Sequence, residues 1–455
     1  MTTYRVHNPW DGSLLGEYAF ADATAVADAL ATLKRGEAQQ RRIPAHERAA
    51  ILEHLAGCLD RERESLAALV TAETGKTLAD ARVELERAIN TTRACAVEAR
   101  QIDGEALDSD AYPPTRGRIG VVVWRPLGTV LCITPFNFPI NIAMHKLGPA
   151  FAAGNAILFK PAPQNTASAT RLVALCREAG MPEAVLQLCL PDVPEMAALV
   201  AHPQVAAINF TGGTATAQAI ARAAGFRKLL FELGGNDPLI VMPDADIERA
   251  VAAAINQRFA TAGQRCTAAK RLYLHSAVYD AFRDALVTAT RALVVGDPMD
   301  PDTFVGPVIS EAAADGICRR IDDALARGAR IACGHQRRGA LLQPTVIEDV
   351  PDDAALVVEE TFGPVIPLRR FETLEELIAL VNASPYGLQA GVFTQDIGTI
   401  RRLFEELDVG LLASNDGPGF RAEHFPFGGV KDSGIGREGV KYAIREMSVR
   451  KTLVI

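Results

Sequence analysis

From residue 129 onward the chain alternates short apolar runs with helical stretches, and this rhythm limits the possible folds more than any other feature of its 455 residues. The runs fall at 129–134, 156–160, 185–190, 205–210 and 229–233, with helical stretches such as 166–179 and 215–223 between them. Strands joined through helices lie parallel and are connected by right-handed crossovers, so the pattern predicts an α/β fold with a doubly wound sheet. A second alternation over 238–405 predicts a second α/β domain, with strands at 238–241 and 271–275 and helices at 247–260 and 278–293. Ahead of both, 22–102 reads as helical, with apolar residues such as Ile51, Leu52, Leu55 and Leu59 at helical spacing. Residues 117–126 and 449–455 read as strands outside the two alternations.

Composition narrows the function. An apolar fraction of 49% and a charged fraction of 22% are ordinary for a globular chain. The net charge is −8 and no basic block is present, which argues against a nucleic-acid partner. The longest apolar stretch, 147–159, is interrupted by Gly148, Pro149 and Gly154, so no membrane span is expected. The N-terminus lacks a charged-then-apolar leader layout. The 8 cysteines show no metal-type spacing. Cys58, Cys95 and Cys176 fall in helical patterns and Cys132 and Cys189 in strand patterns, so they read as buried thiols in a reducing cytoplasm, with no metal.

Five short segments carry chemistry. Cys266 sits in Thr-Ala-Gly-Gln-Arg-Cys-Thr, outside any apolar alternation, and the neighbouring Arg265 favours the thiolate. Glu232 ends an apolar strand and is followed by Leu-Gly-Gly, which puts it at a strand's carboxyl end, where open α/β sheets hold their sites. There a carboxylate can serve as general base, or simply cap a turn. Asn137, in Thr-Pro-Phe-Asn-Phe-Pro, can donate to an oxyanion. Phe210-Thr-Gly-Gly-Thr places Gly212, Gly213 and Thr214 at a helix start suited to phosphate, though an ordinary turn reads the same way. Lys160 ends a further strand and suits a ribose or phosphate, or a solvated strand end.

In this order, together with Glu360-Thr-Phe-Gly-Pro and Pro426-Phe-Gly-Gly, these segments resemble the aldehyde dehydrogenase superfamily from Asn8-Pro9 to the C-terminus. The resemblance implies NAD(P)-dependent oxidation of an aldehyde, with Cys266 as nucleophile, Asn137 and the Cys266 N–H as oxyanion donors, and Glu232 as the base that hydrolyses the thioester. It implies cofactor contacts from Lys160, Gly212, Gly213, Thr214, Glu360 and Phe362. It implies a Rossmann-type nucleotide-binding domain (1–105 and 127–234), a catalytic domain (235–434) and a small β oligomerisation arm (106–126 and 435–455) serving a homodimer or homotetramer. The presence of Glu232 favours a free acid over transfer to coenzyme A. Where strict NAD enzymes of the family carry a Glu, this chain has Pro163, so NADP is expected alone or beside NAD.

The stretch Gly-Gln-Arg-Cys-Thr-Ala-Ala-Lys-Arg is similar to the non-phosphorylating glyceraldehyde-3-phosphate and phosphonoacetaldehyde branches, whose aldehydes are anionic. That similarity implies substrate contacts from Arg265, Arg100 and His145, with Arg421 a further cation. Guanidinium groups bind phosphonate, phosphate or carboxylate through paired N–H donors. The plainer alternative leaves Arg265 to act on the thiol, and Arg100 and Arg421 as surface ion-pair partners. A lactaldehyde- or succinic-semialdehyde-type enzyme, a coenzyme A acylating enzyme and a non-catalytic member are the other readings; the last is disfavoured because Cys266, Glu232 and Asn137 are all present.

Overall fold

A computed structural model describes residues 2–455. All five apolar runs become strands of one six-stranded sheet. In spatial order it reads Gly434–Ile435, Lys228–Glu232, Val205–Thr211, Thr129–Ile133, Ala156–Lys160 and Leu186–Leu188. Only the Gly434–Ile435 edge is antiparallel. The chain runs outward from Thr129–Ile133 and then returns to place Val205–Thr211 on its other flank, so the strand order reverses between these two. A crevice opens at that reversal, beyond the carboxyl ends of the strands.

Strand Thr129–Ile133 is buried at every residue. Val130 and Cys132 face a core shared with Leu52, Leu85 and Leu147, whereas Leu131 and Ile133 face one shared with Leu33 and Ile220. A period of two thus feeds two cores, which is why the run reads as continuously apolar rather than alternating. Burying each Leu or Val of this kind contributes about 1.5–3 kcal/mol.

The second alternation forms a seven-stranded sheet in the order Arg330–Cys333, Thr345–Glu348, Val365–Phe371, Arg271–His275, Pro238–Val241, Gln389–Phe393 and Leu411–Ser414. The helical region 22–102 resolves into Ala23–Gln40, Ala45–Arg61, Arg63–Thr74 and Leu78–Ala99. An N-terminal hairpin, Thr3–His7 with Leu14–Ala19, precedes them and has no counterpart in the sequence reading.

The arm is a three-stranded antiparallel sheet of Ser448–Val454, Gly120–Pro126 and Glu105–Leu107. One boundary needs correction. Residues 435–447 were assigned to the arm, but Gly434–Ile435 pairs with Phe231 and Glu232 in the six-stranded sheet. The following helix, Val440–Glu446, buries Val440, Ala443 and Ile444 in the same core as Leu85 and Leu147. No helix among the described residues is long and apolar enough to cross a membrane.

Candidate active site

The crevice is a cleft of about 400 Å³ in which Cys266 and Asn137 meet Lys160, Gly212, Glu360 and Phe362. Pro163 and Gly213 also line it.

The loop that carries Cys266 is built under strain. Thr261, Ala262 and Gly263 take φ values of 55°, 52° and 72°. Two consecutive non-glycine residues in the left-handed region cost about 1–3 kcal/mol each and persist only where surrounding contacts impose them. Asp80 supplies one, accepting from the Thr261 N–H at 2.8 Å and from its hydroxyl at 3.2 Å. At Gly263 a side chain is excluded, because a Cβ there would lie 2.4 Å from the Gly363 carbonyl oxygen. Gln264 then fixes the loop twice. Its carbonyl accepts from Asn137 Nδ2 at 2.9 Å and its side-chain Oε1 accepts from the Ile309 N–H at 2.9 Å. The first bond also orients Asn137, which is 4% exposed, with a second amide proton left on Nδ2.

Burial pushes the Cys266 thiol up to about 11, opposed by the positive charges of Lys270 and Arg421. Burial also drives Cys132 and Cys176 to about 12 and Cys189 to about 11. Of these four, only Cys266 lines the cleft.

Glu232 lies behind the cleft wall. Its carboxylate packs over Gly428, whose Cβ would lie 2.7 Å from Oε1, and neither oxygen has a hydrogen-bond partner among the described residues. Burial, with the neighbouring negative Glu438, holds this carboxyl well above the usual carboxylate range. Glu438 is buried too, but Lys146 at 3.0 Å and Arg421 at 2.7 Å hold it ionised, down to about 2. The two acids of the pair are thus pushed in opposite directions.

The cofactor positions fit a dinucleotide. A Cβ at Gly213 would meet nothing within 4 Å, so its backbone is open to the cleft. The helix Thr214–Ala224 begins there without a side-chain cap, leaving N–H groups for an anion. Lys160 ends its strand at the cleft, and burial lowers its ammonium pKa. Phe362 packs edge-on against Phe136, with ring centroids 6.1 Å apart. The Thr214 hydroxyl donates to the Asp432 carbonyl at 3.2 Å, and Thr216 lines the cleft.

The expected substrate residues divide. Arg100 is not brought to the site. It ends the helix Leu78–Ala99 at the surface and pairs with Glu53 at 3.1 Å, both half-exposed. His145 is buried and does not line the cleft; its Nε2 lies 2.8 Å from Glu423 Oε2. Burial pushes its imidazole pKa down, and its Nε2 also lies 3.3 Å from the Thr91 hydroxyl. Arg421 stacks over Phe427 at 3.9 Å and pairs with Glu438, and its charge reaches Cys266. Arg265 is half-buried, within electrostatic reach of Asp80, Arg87 and Cys266.

The sequence reading missed Arg87. Its Nε donates to Glu423 at 3.0 Å, while its Nη2 is buried without a partner among the described residues. Although burial opposes it, Glu423 is held down to about 2 by His145, Arg87 and Arg421. The signal was present: Glu84, Arg87 and Thr91 share one helix face, and Glu84 and Thr91 are buried. Lys146, Lys270, Glu423 and Glu438 were likewise given no role.

Comparison with known proteins agrees with this arrangement. The model of the aldehyde dehydrogenase family matches residues 1–453. A sulfoacetaldehyde dehydrogenase of Neptuniibacter caesariensis is 62% identical over 453 residues, spanning 100% of this chain and 99% of that protein. A 3-sulfolactaldehyde dehydrogenase of Priestia aryabhattai is 38% identical, spanning 99% of this chain and 94% of that protein. Among solved structures, the NADP-dependent glyceraldehyde-3-phosphate dehydrogenase of Bacillus halodurans C-125, complexed with NADP, superposes with a TM-score of 0.97 at 36% identity, covering 100% of this chain and 96% of that one. The chain belongs to the aldehyde dehydrogenase family, whose enzymes use NAD or NADP.

Proposed function

We propose that this enzyme oxidises a small aldehyde carrying a sulfonate tail, of the sulfoacetaldehyde kind, to the free acid. The observation that carries the proposal is that three guanidinium groups lie within electrostatic reach of the nucleophile or of one another, Arg421 and Arg265 with Cys266, and Arg87 with Arg265. Two of them are partly neutralised, Arg87 by Glu423 and Arg421 by Glu438. Arg265 forms no ion pair among the described residues, and Arg87 Nη2 is an unused donor. A tail with charge-accepting oxygens satisfies both, through charge-assisted hydrogen bonds. The resemblance drawn from the sequence pointed to phosphonate or phosphate aldehydes. The 62% identical relative bears the name of a sulfonate enzyme, and a sulfonate offers the same three oxygens to the same guanidinium groups.

Cys266 Sγ bonds to the aldehyde carbon and gives a thiohemiacetal. The oxyanion accepts hydrogen bonds from the remaining Asn137 Nδ2–H and from the Cys266 N–H. Lys160 would hold the adenosine ribose of NAD(P) and Glu360 its nicotinamide ribose, Gly212 and Gly213 would leave room for its pyrophosphate, and the bound cofactor would supply the hydride acceptor. Pro163 makes no demand for a free 2′-hydroxyl, so NADP is accepted. Glu232 then swings from Gly428 toward Cys266 and takes a proton from water, which attacks the thioester and releases Sγ as thiolate. The exposed apolar side chains of the arm, including Leu107, Leu453 and Val454, join copies of the chain into a homodimer or homotetramer.

Arg265→Ala tests the substrate reading. It is expected to raise KM for a sulfonate aldehyde about 10- to 100-fold, the range for a lost charged hydrogen bond, and to leave propionaldehyde almost unchanged. Equal effects on both would reduce Arg265 to a modifier of the thiol. Arg100→Ala, at the surface, should change neither. For the oxyanion donor, Asn137→Ala should lower kcat by about 10²–10³ while cofactor binding, followed by fluorescence quenching, is retained.

A further inference from the structure

Lys270 takes no step in the chemistry above, yet it is a buried cation in contact with the nucleophile's own backbone. Its side chain is 1% exposed. Its ammonium donates to the carbonyl oxygen of Cys266 and lies 3.1 Å from Glu360 Oε1. The same Oε1 accepts from the Gly235 N–H at 3.2 Å. Oε2 lies instead over Gly234, which lines the cleft; a Cβ there would be 2.1 Å from it. Backbone contacts hold the lysine in turn, since its N–H donates to the Asp237 carbonyl at 2.9 Å. Its ammonium also stands 5.9 Å from the Phe362 ring centroid, within cation–π reach.

We propose that Lys270 is a positioning residue that ties the nucleophile loop to Glu360, occupying one carboxylate oxygen so that only the other is presented to the cofactor cleft, and placing a fixed positive charge beside Cys266. The proposal rests on the reading of Glu360 as a cofactor ligand. Its physical basis is that a carboxylate free to rotate presents two equivalent oxygens, while one pinned at Oε1 by an ammonium and an N–H presents one oxygen in one direction. Preorganisation of this kind reduces the ordering cost on binding. The same ammonium cancels the negative charge of Glu360 near Cys266. Of the charges that favour the thiolate, that of Lys270 acts most strongly, and Glu360 acts against it.

The test uses the full-length chain and two readouts. The first is the pH midpoint of iodoacetamide alkylation without cofactor, followed at the Cys266 peptide by mass spectrometry. The second is KM for NADP. K270M is expected to move the midpoint upward by about one pH unit, the size of effect a lost neighbouring charge produces, and to raise the cofactor KM about tenfold. K270R should restore both toward the wild-type values. E360Q should move the midpoint downward, and the double variant K270M/E360Q should return it near wild type while the cofactor KM stays high. An unmoved midpoint in K270M, with the protein folded by circular dichroism, overturns the proposal. An unchanged cofactor KM in E360Q removes Glu360 from the cofactor site, and with it the reading on which the proposal stands.

Discussion

Replacing Cys266 with alanine is expected to lower the dehydrogenase rate by at least about 10⁴-fold, because no other nucleophile is at hand to form the covalent intermediate. Cys132, Cys176 and Cys189 are buried outside the cleft, with thiols at about 11 to 12. The loop should survive the change. Its left-handed turn is held by Asp80, and its carbonyl at Gln264 by Asn137; neither contact uses the sulfur. Cofactor titration should therefore show near-wild-type affinity in the inactive variant. Measurable turnover by Cys266→Ala would remove the covalent mechanism.

Glu232→Gln should produce the second largest effect, and of a different kind. Acylation should still proceed, giving a burst of reduced cofactor of about one per site. Steady-state turnover should then fall about 10²–10⁴-fold, the usual contribution of a general base. The wild-type pH dependence follows from the buried carboxyl. Burial and Glu438 raise its pKa above the usual carboxylate range, and only the ionised form acts as base. Thioester hydrolysis should therefore rise with pH through a midpoint above that of an ordinary carboxyl, about 4.3. In Glu232→Gln this limb should vanish, while the pH dependence of the burst, set by the Cys266 thiol, remains. Stopped-flow measurement separates the phases. An undiminished steady-state rate would take Glu232 out of its role.

The parts of the protein that were legible in its sequence share a physical property: each repeats a pattern over several residues. Five buried strands appear as five apolar runs, and the long helices keep their spacing. Gly434–Ile435 is a strand of two residues with no period, so its membership of the six-stranded sheet was invisible and the arm was drawn too long. Side-chain direction was the other limit. Arg87 lies within the helix Leu78–Ala99 and Arg100, the arginine the resemblance marks, caps its end. One faces inward with Glu84 and Thr91, while the other caps the helix end and finds Glu53 in solvent. His145, expected to touch substrate, is buried beside Glu423 and does not line the cleft. Glu232 sits at the strand end as its position implied, yet its carboxyl packs over Gly428, distant in sequence and so unreadable from local pattern. Asn137 follows the strand Thr129–Ile133 and Lys160 ends the strand Ala156–Lys160, both of which the strand rhythm located, whereas Cys266 follows the helix Ile247–Phe259 and Glu360 and Phe362 follow the short helix Ala355–Val358, so that rhythm did not place them at the cleft.

The most direct test of the substrate proposal is a set of initial rates with sulfoacetaldehyde, phosphonoacetaldehyde, succinic semialdehyde, lactaldehyde and propionaldehyde, each with NAD and with NADP and without coenzyme A. The account predicts the highest kcat/KM for sulfoacetaldehyde, reduction of NADP as well as NAD, and sulfoacetate as the product. A preference for propionaldehyde or lactaldehyde, or a requirement for coenzyme A, would contradict it.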